Sequence, residues 1–193
     1  MISEQTEQQL SQWQANKKWY RQLAQRASVC IILAEKNQSL HFLMMQRASH
    51  EGDPWSGQMA FPGGKQDPED ANITITAERE AFEELAIENS AITRIGRLSD
   101  ILARPYRAMK KPMVVSPIIF KAEHIFTPKG NAEVADWLWL PVSHFQDIKK
   151  RQNMTINKAG LEHQLPCYDI QGKRVWGLSL LMIDELIRAL ENS

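Results

Sequence analysis

The chain has 193 residues, 23 basic and 23 acidic, and no formal net charge, so no overall field draws it to nucleic acid or to an anionic membrane surface. That length accommodates one domain with a full core, and its two cysteines, Cys30 and Cys167, lie in apolar runs, which predicts buried hydrophobes in a reducing compartment instead of a disulfide. No apolar run approaches the ~18 residues of a membrane span and no signal-peptide pattern opens the chain, so a soluble, cytoplasmic protein is expected.

Residues 3–27 are polar, with scattered Leu10, Trp13, Trp19, Tyr20 and Leu23. This predicts a helical N-terminal extension (1–27) ahead of a main domain (28–193). Its aromatic positions would pack either on that domain or on a second copy of the chain, so a homodimer is one option. SVCIILAEK (28–36) and LHFLMMQR (40–47) read as strands joined by a hairpin at Asn37-Gln38-Ser39. Arg47 ends the second strand, as either a surface cation or a phosphate grip. In the turn-rich loop that follows, Trp55 is either a loop anchor or a stacking platform for a base.

The stretch 61–87, FPGGKQDPEDANITITAEREAFEELAI, combines a glycine turn with a helix. Gly63 and Gly64 allow unusual backbone angles and a close approach of the main chain to a ligand or metal. Glu80, Glu83 and Glu84 stand at i, i+3 and i+4, on one helical face. The residues four beyond them are Glu84, Ile87 and Glu88, so only Arg79 is in reach to offset their charge. Like charges at this spacing each cost a helix about 0.2–0.5 kcal/mol, and a divalent cation held among them removes that cost. Magnesium and manganese prefer such oxygen donors, shared with the phosphates of a substrate. Eight of the 23 acidic residues fall between Gly64 and Glu88, so the acidity is local. Ala77, Ala81 and Leu85 form the neighbouring apolar stripe that buries the helix on a sheet.

Further on, 95–102 and 113–121 read as strands. Between them RPYRAMKKP carries Arg104, Arg107, Lys110 and Lys111, a solvated turn or a contact for an anionic substrate. Glu133 stands just ahead of an alternating strand, 134–140. A short helix over 141–149, strands around 165–169 and 174–176, and a closing amphipathic helix over 179–190 complete the chain. The five histidines show no metal-ligand spacing.

Gly64, Asp70, Arg79-Glu80-Ala81-Phe82-Glu83-Glu84 and Ile87 resemble the Nudix box, G-x5-E-x7-R-E-U-x-E-E-x-G-U with U aliphatic. The core matches at every position. The interval from Gly64 to Arg79 is one residue longer than the pattern, Asp70 replaces its first glutamate, and Ala86 stands at its second glycine. A longer, aspartate-bearing box ending in Ala-Ile is similar to the Nudix branch that acts on coenzyme A. Leu43, Arg47, Gly57 and Phe61-Pro62-Gly63-Gly64 also fit that branch's upstream signature, although Gly52 falls at its second arginine. Val175-Trp176-Gly177-Leu178 is similar to its end.

The resemblance implies an α/β/α sandwich with a mixed β-sheet, and a diphosphatase acting on a nucleotide-containing diphosphate, coenzyme A first among the candidates. It implies Mg2+ or Mn2+ on Glu80, Glu83 and Glu84, with the Gly64 carbonyl as an optional further donor, Arg79 orienting the carboxylates, and Arg47, Gly63 and Gly64 meeting substrate. Members of the family commonly carry a glutamate near position 133 as base or ligand. Glu133 is the candidate, with Asp136 in reserve.

Overall fold

The computed structural model describes residues 2–51, 55–103, 112–158 and 160–191. The basic segment 104–111 and Gly52, singled out above, lie outside them.

One mixed sheet is built from β1 (Gln25–Lys36), β2 (Ser39–Arg47), β3 (Met59–Ala60), β4 (Gly63–Lys65), β5 (Thr93–Arg97), β6 (Ile101–Ala103), β7 (Met113–Lys121) and β8 (Val134–Pro141). β1 and β7 run parallel through its centre, and β2 and β4 flank β1 antiparallel. A parallel neighbour requires a long crossover, and that crossover contains α2 (Ile73–Leu85). Being central, β1 is buried on both faces, which is why its sequence is a continuous apolar run with no alternation. Cys30, Ile32 and Ala34 face Ala77, Ala81 and Leu85 of α2. Ile31 and Leu33 face the opposite layer, made by α1 (Glu4–Gln12), α3 (Val142–Gln146) and α4 (Gly177–Glu191). The expected α/β/α sandwich is the fold observed. Cys30 and Cys167 are free and buried, as read from their apolar runs. Among the described residues no helix is long and apolar enough to cross a membrane.

Several local expectations need correction. The helix predicted over 3–27 ends at Gln12, a 3-10 turn spans Trp19–Gln22, and Gln25 already belongs to β1. Leu10 and Trp13 of this segment pack into the core beside α4. Leu10 is fully buried, and the Trp13 indole donates to Glu185 of α4 at 2.9 Å. Trp19 and Leu23 are exposed, 84% and 80%, because no apolar stripe continues past residue 13 to hold a longer helix down. The segment is stitched instead to its own domain: the Lys18 amide donates to buried Asp100, which also accepts from Ser116 Oγ and pairs with Arg97.

The strand expected over 95–102 is broken into β5 and β6. Its neighbour β7 carries Pro117, which has no N–H to donate; the Leu98 amide donates to the Pro117 carbonyl, and Asp100 turns inward. A second, three-stranded sheet contains β9 (Gln152–Lys158), β10 (Leu161–Ile170) and β11 (Lys173–Trp176). β9 was absent from the expected elements because its run, QNMTINK, is mostly polar and exposed.

Candidate active site

The acid-rich helix starts at the Asn72 N-cap, whose Oδ1 accepts from the amides of Thr74 and Ile75 at 2.9 and 3.3 Å. It ends at Ala86, which adopts the left-handed conformation (φ 52°) where the family pattern has glycine. Burial of Ala77, Ala81 and Leu85 on the sheet sets the rotation of α2 and carries Glu84 into the protein, 3% exposed. Glu80 is half-buried and Glu83 is at the rim.

Gly63 and Gly64 are not in a turn, and neither has a positive φ; they form β4, paired to Val29 and Ser28 of β1. Their reason is close approach. A Cβ on Gly63 would lie 2.4 Å from the Ser28 carbonyl oxygen, and one on Gly64 would lie 2.3 Å from Glu80 Oε1. The first glycine is therefore demanded by the sheet, whereas a side chain at the second would displace the Glu80 carboxylate. The Gly63 amide in turn donates to Glu84 Oε2 at 2.8 Å.

Arg79 uses all five of its N–H groups. Nε and Nη2 donate to the two oxygens of Asp70 at 3.1 and 3.0 Å, Nη2 also to the Lys65 carbonyl at 2.9 Å. Nη1 donates to Glu80 Oε1 at 2.9 Å and to Glu83 Oε2 at 3.0 Å. The Asp70 carboxyl is accordingly held below the usual carboxylate range by the Arg79 hydrogen bonds. Arg79 thus joins the loop ahead of α2 to its acidic face, as an orienting residue.

Glu84 lies outside that network. Its nearest cation is Arg47, with Nη1 3.9 Å from Oε1. Burial pushes its carboxyl up to about 8; the Gly63 hydrogen bond and the Arg47 charge oppose this, and the Glu80 and Glu133 charges add to it. Burial also raises Glu80, against the pull of Arg79. Two carboxylates that resist ionisation where they stand, beside a third, form a place where a cation is favourable. As they stand, the described side chains do not form a closed group of three carboxylate, imidazole or thiol ligands. The donor chemistry, oxygen-only with Glu80 and Glu84 at its centre, fits a hard divalent ion.

Glu133 enters from the segment before β8. Its carbonyl accepts from the Ala48 amide at 2.7 Å, beside Arg47, and its charge acts on Glu84. Asp136, the reserve candidate, is directed elsewhere: Lys173 binds it at 2.9 Å and holds its carboxyl below the usual range. Trp55 packs, partly buried, against the core below its loop, as an anchor. The sequence reading missed Asn131. Its Nδ2 donates to the Glu83 carbonyl and its amide to the Glu84 carbonyl, both at 2.9 Å, while its Oδ1 accepts from the Glu133 amide at 2.8 Å. The signal for it was an asparagine two residues ahead of a candidate base.

A helix that carries Glu84 buried and Glu80 half-buried is thus locked by one arginine and set against a glycine strand at the edge of the mixed sheet's central pair. The family model for the NUDIX domain matches residues 24–160, and the chain belongs to the Nudix family. It is a Nudix hydrolase, a pyrophosphohydrolase acting on nucleoside diphosphate-linked substrates. The uncharacterized Nudix hydrolase NudL of Yersinia enterocolitica is 31% identical over 145 residues, which cover 75% of this chain and 71% of that protein. NudL of Yersinia pestis is 30% identical over 145 residues, covering 75% and 69%. The solved NUDIX hydrolase of Alicyclobacillus acidocaldarius matches at a TM-score of 0.57 and 15% identity over 88% of this chain and 93% of that one. The C. elegans Ap4A hydrolase binary complex matches at 0.52 and 22%, over 65% and 84%. Both structural matches are likenesses of fold.

Proposed function

We propose that the chain hydrolyses the diphosphate of coenzyme A and its derivatives, giving adenosine 3′,5′-bisphosphate and 4′-phosphopantetheine. The observation that supports this reading is that Arg47, from the part of the chain that resembles the upstream signature of the coenzyme A branch, stands 3.9 Å from Glu84 of the box.

In this reading Glu80 and Glu84, with Glu83 and the Gly64 carbonyl, hold Mg2+ or Mn2+. The bound ion offsets charge on the diphosphate and lowers the pKa of water. Arg79 keeps Glu80 and Glu83 oriented through Asp70. Glu133 accepts the proton of the attacking water as its oxygen bonds to phosphorus and the bridging P–O bond breaks. Arg47 grips a substrate phosphate, a task suited to its planar pair of donors. Gly52, standing where the signature carries a second arginine, favours a second reading in which ADP-ribose, a dinucleotide or a modified nucleotide is cleaved instead.

A panel of coenzyme A, ADP-ribose, NADH and nucleoside triphosphates, assayed with each metal and with products identified by mass, separates the two. Release of the bisphosphate and phosphopantetheine from coenzyme A is expected. Cleavage of ADP-ribose with coenzyme A left intact would overturn the coenzyme A assignment.

A further inference from the structure

Asn131 is the one described residue that bonds both the end of the acid-rich helix and the backbone of Glu133. Its side-chain amide nitrogen and main-chain nitrogen donate to the consecutive carbonyls of Glu83 and Glu84, each at 2.9 Å. Those carbonyls belong to the last turn of α2, where a helix has no partners of its own. With the Lys129 amide on the Leu85 carbonyl at 3.0 Å, the segment ahead of β8 completes the helix end. Of its two acceptors, Oδ1 takes the Glu133 amide at 2.8 Å and the main-chain carbonyl takes the Val134 amide at 3.2 Å. A second tie fixes Glu133 from its far side, the Ala48 amide donating to its carbonyl at 2.7 Å.

These bonds divide into two sets. The donors of Asn131 are directed at the helix that carries Glu80 and Glu84, and its side-chain acceptor is directed at the residue that carries the candidate base. An alanine here would lose the side-chain bonds of both sets, while the main-chain bond to Glu84 would stay. Asn131 is exposed and adds no apolar burial. Its hydrogen bonds therefore account for what its side chain contributes, and the Oδ1 bond is the one that a helix cap does not need. Misplacing a reacting group by about an ångström costs on the order of a hundredfold in rate, so even a local tether has kinetic weight.

We infer that Asn131 is a positioning residue for the hydrolysis: it fixes the Glu133 backbone against the end of the carboxylate helix, and so sets the distance between the base and the carboxylates of Glu80 and Glu84. It touches neither substrate nor cation. The inference rests on the reading of Glu133 as the base.

The test is a double-mutant cycle on the full chain, using whichever panel substrate is cleaved fastest. Asn131→Ala is expected to lower kcat by about 30-fold with KM within about twofold, since the residue acts through placement of a catalytic group. Asn131→Asp keeps the acceptor for the Glu133 amide and the main-chain tie to Glu84, and is expected to recover kcat to within about fivefold of the parent, although it loses the donor to Glu83. In a Glu133→Gln background, Asn131→Ala is expected to add less than about twofold, because both changes remove one function.

A purely structural cap gives another pattern: Asn131→Ala and Asn131→Asp would be equally impaired, and the losses of Asn131→Ala and Glu133→Gln would multiply. Either that pattern or an Asn131→Ala enzyme with parental kcat would overturn the inference while leaving the base assignment intact, provided that Glu133→Gln is itself impaired. A fully active Glu133→Gln enzyme would overturn the base assignment, and the inference with it.

Discussion

Glu84→Gln is expected to lower kcat by about 1,000-fold, the loss of about 4 kcal/mol of transition-state stabilisation, and at the same time to make the metal-free protein more stable at mildly alkaline pH. Both effects have one origin. Glu84 is 3% exposed and its carboxyl is pushed up to about 8 from an ordinary 4.5. Between those two values the folded protein binds a proton that the unfolded chain has released, so the contribution of Glu84 to stability is complete below about 4.5 and falls away as pH rises to about 8. Glutamine keeps an oxygen for the Gly63 amide and carries no charge to bury. Urea unfolding in the presence of a chelator, at about pH 5 and about pH 8, checks this: the variant should gain on the parent only at the higher pH. Comparison within the pair removes the contributions of Asp70 and Asp136, whose lowered pKa values act in the opposite sense. Parental activity in Glu84→Gln, or a stability difference that does not change with pH, would be incompatible with the site described.

The second large effect concerns Arg79. Arg79→Ala leaves Asp70, which is buried, without its bidentate partner, and releases Glu80 and Glu83 from one guanidinium. A loss of about 3 kcal/mol in stability is expected, because removing one partner strands a buried charge. A fall of about 100-fold in kcat is expected from the displaced carboxylates. Arg79→Lys should recover little of either. Lysine keeps the charge, but one ammonium cannot meet three carboxylates and the Lys65 carbonyl from a single planar fork. Denaturation midpoints and steady-state kinetics on both variants decide the matter, and a lysine variant within a few-fold of the parent would show that charge alone is what the site requires.

The box was legible in sequence because its chemistry is local. The spacing of Glu80, Glu83 and Glu84 sets their common face, and Ala77, Ala81 and Leu85 set which face is buried. The orienting role of Arg79 was legible for the same reason, but its pairing with Asp70 crosses the loop before the helix and is seen only once that loop is folded. For Gly63 and Gly64 the sequence offers two reasons, unusual backbone angles and close approach, and the structure shows crowding and no positive φ. Their close neighbours, the Ser28 carbonyl and the Glu80 carboxylate, lie on other elements, so close approach could not be told from special backbone angles. Ala86 shows the converse: the left-handed conformation is kept without the glycine that makes it easy.

Long-range polar contacts were the least visible. Asn131 is an ordinary turn residue by composition, and its meaning comes from carbonyls more than forty residues earlier in the chain. The same holds at the N-terminus, where Asp100, a residue with no local reason to be buried, receives the Lys18 amide and ends the prospect of a continuous helix. β9 went unseen because it is held by its ladder to β10, with little apolar pattern to betray it.

The central claim, that the acidic face of α2 holds a hard divalent cation, is tested most directly by binding without turnover. Manganese titrated into the parent and into Glu84→Gln, with free ion followed by electron paramagnetic resonance, should show saturable uptake by the parent and at least about tenfold weaker uptake by the variant. Equal uptake by the two proteins, or none by the parent in the presence of a non-hydrolysable nucleoside diphosphate analogue, would contradict it.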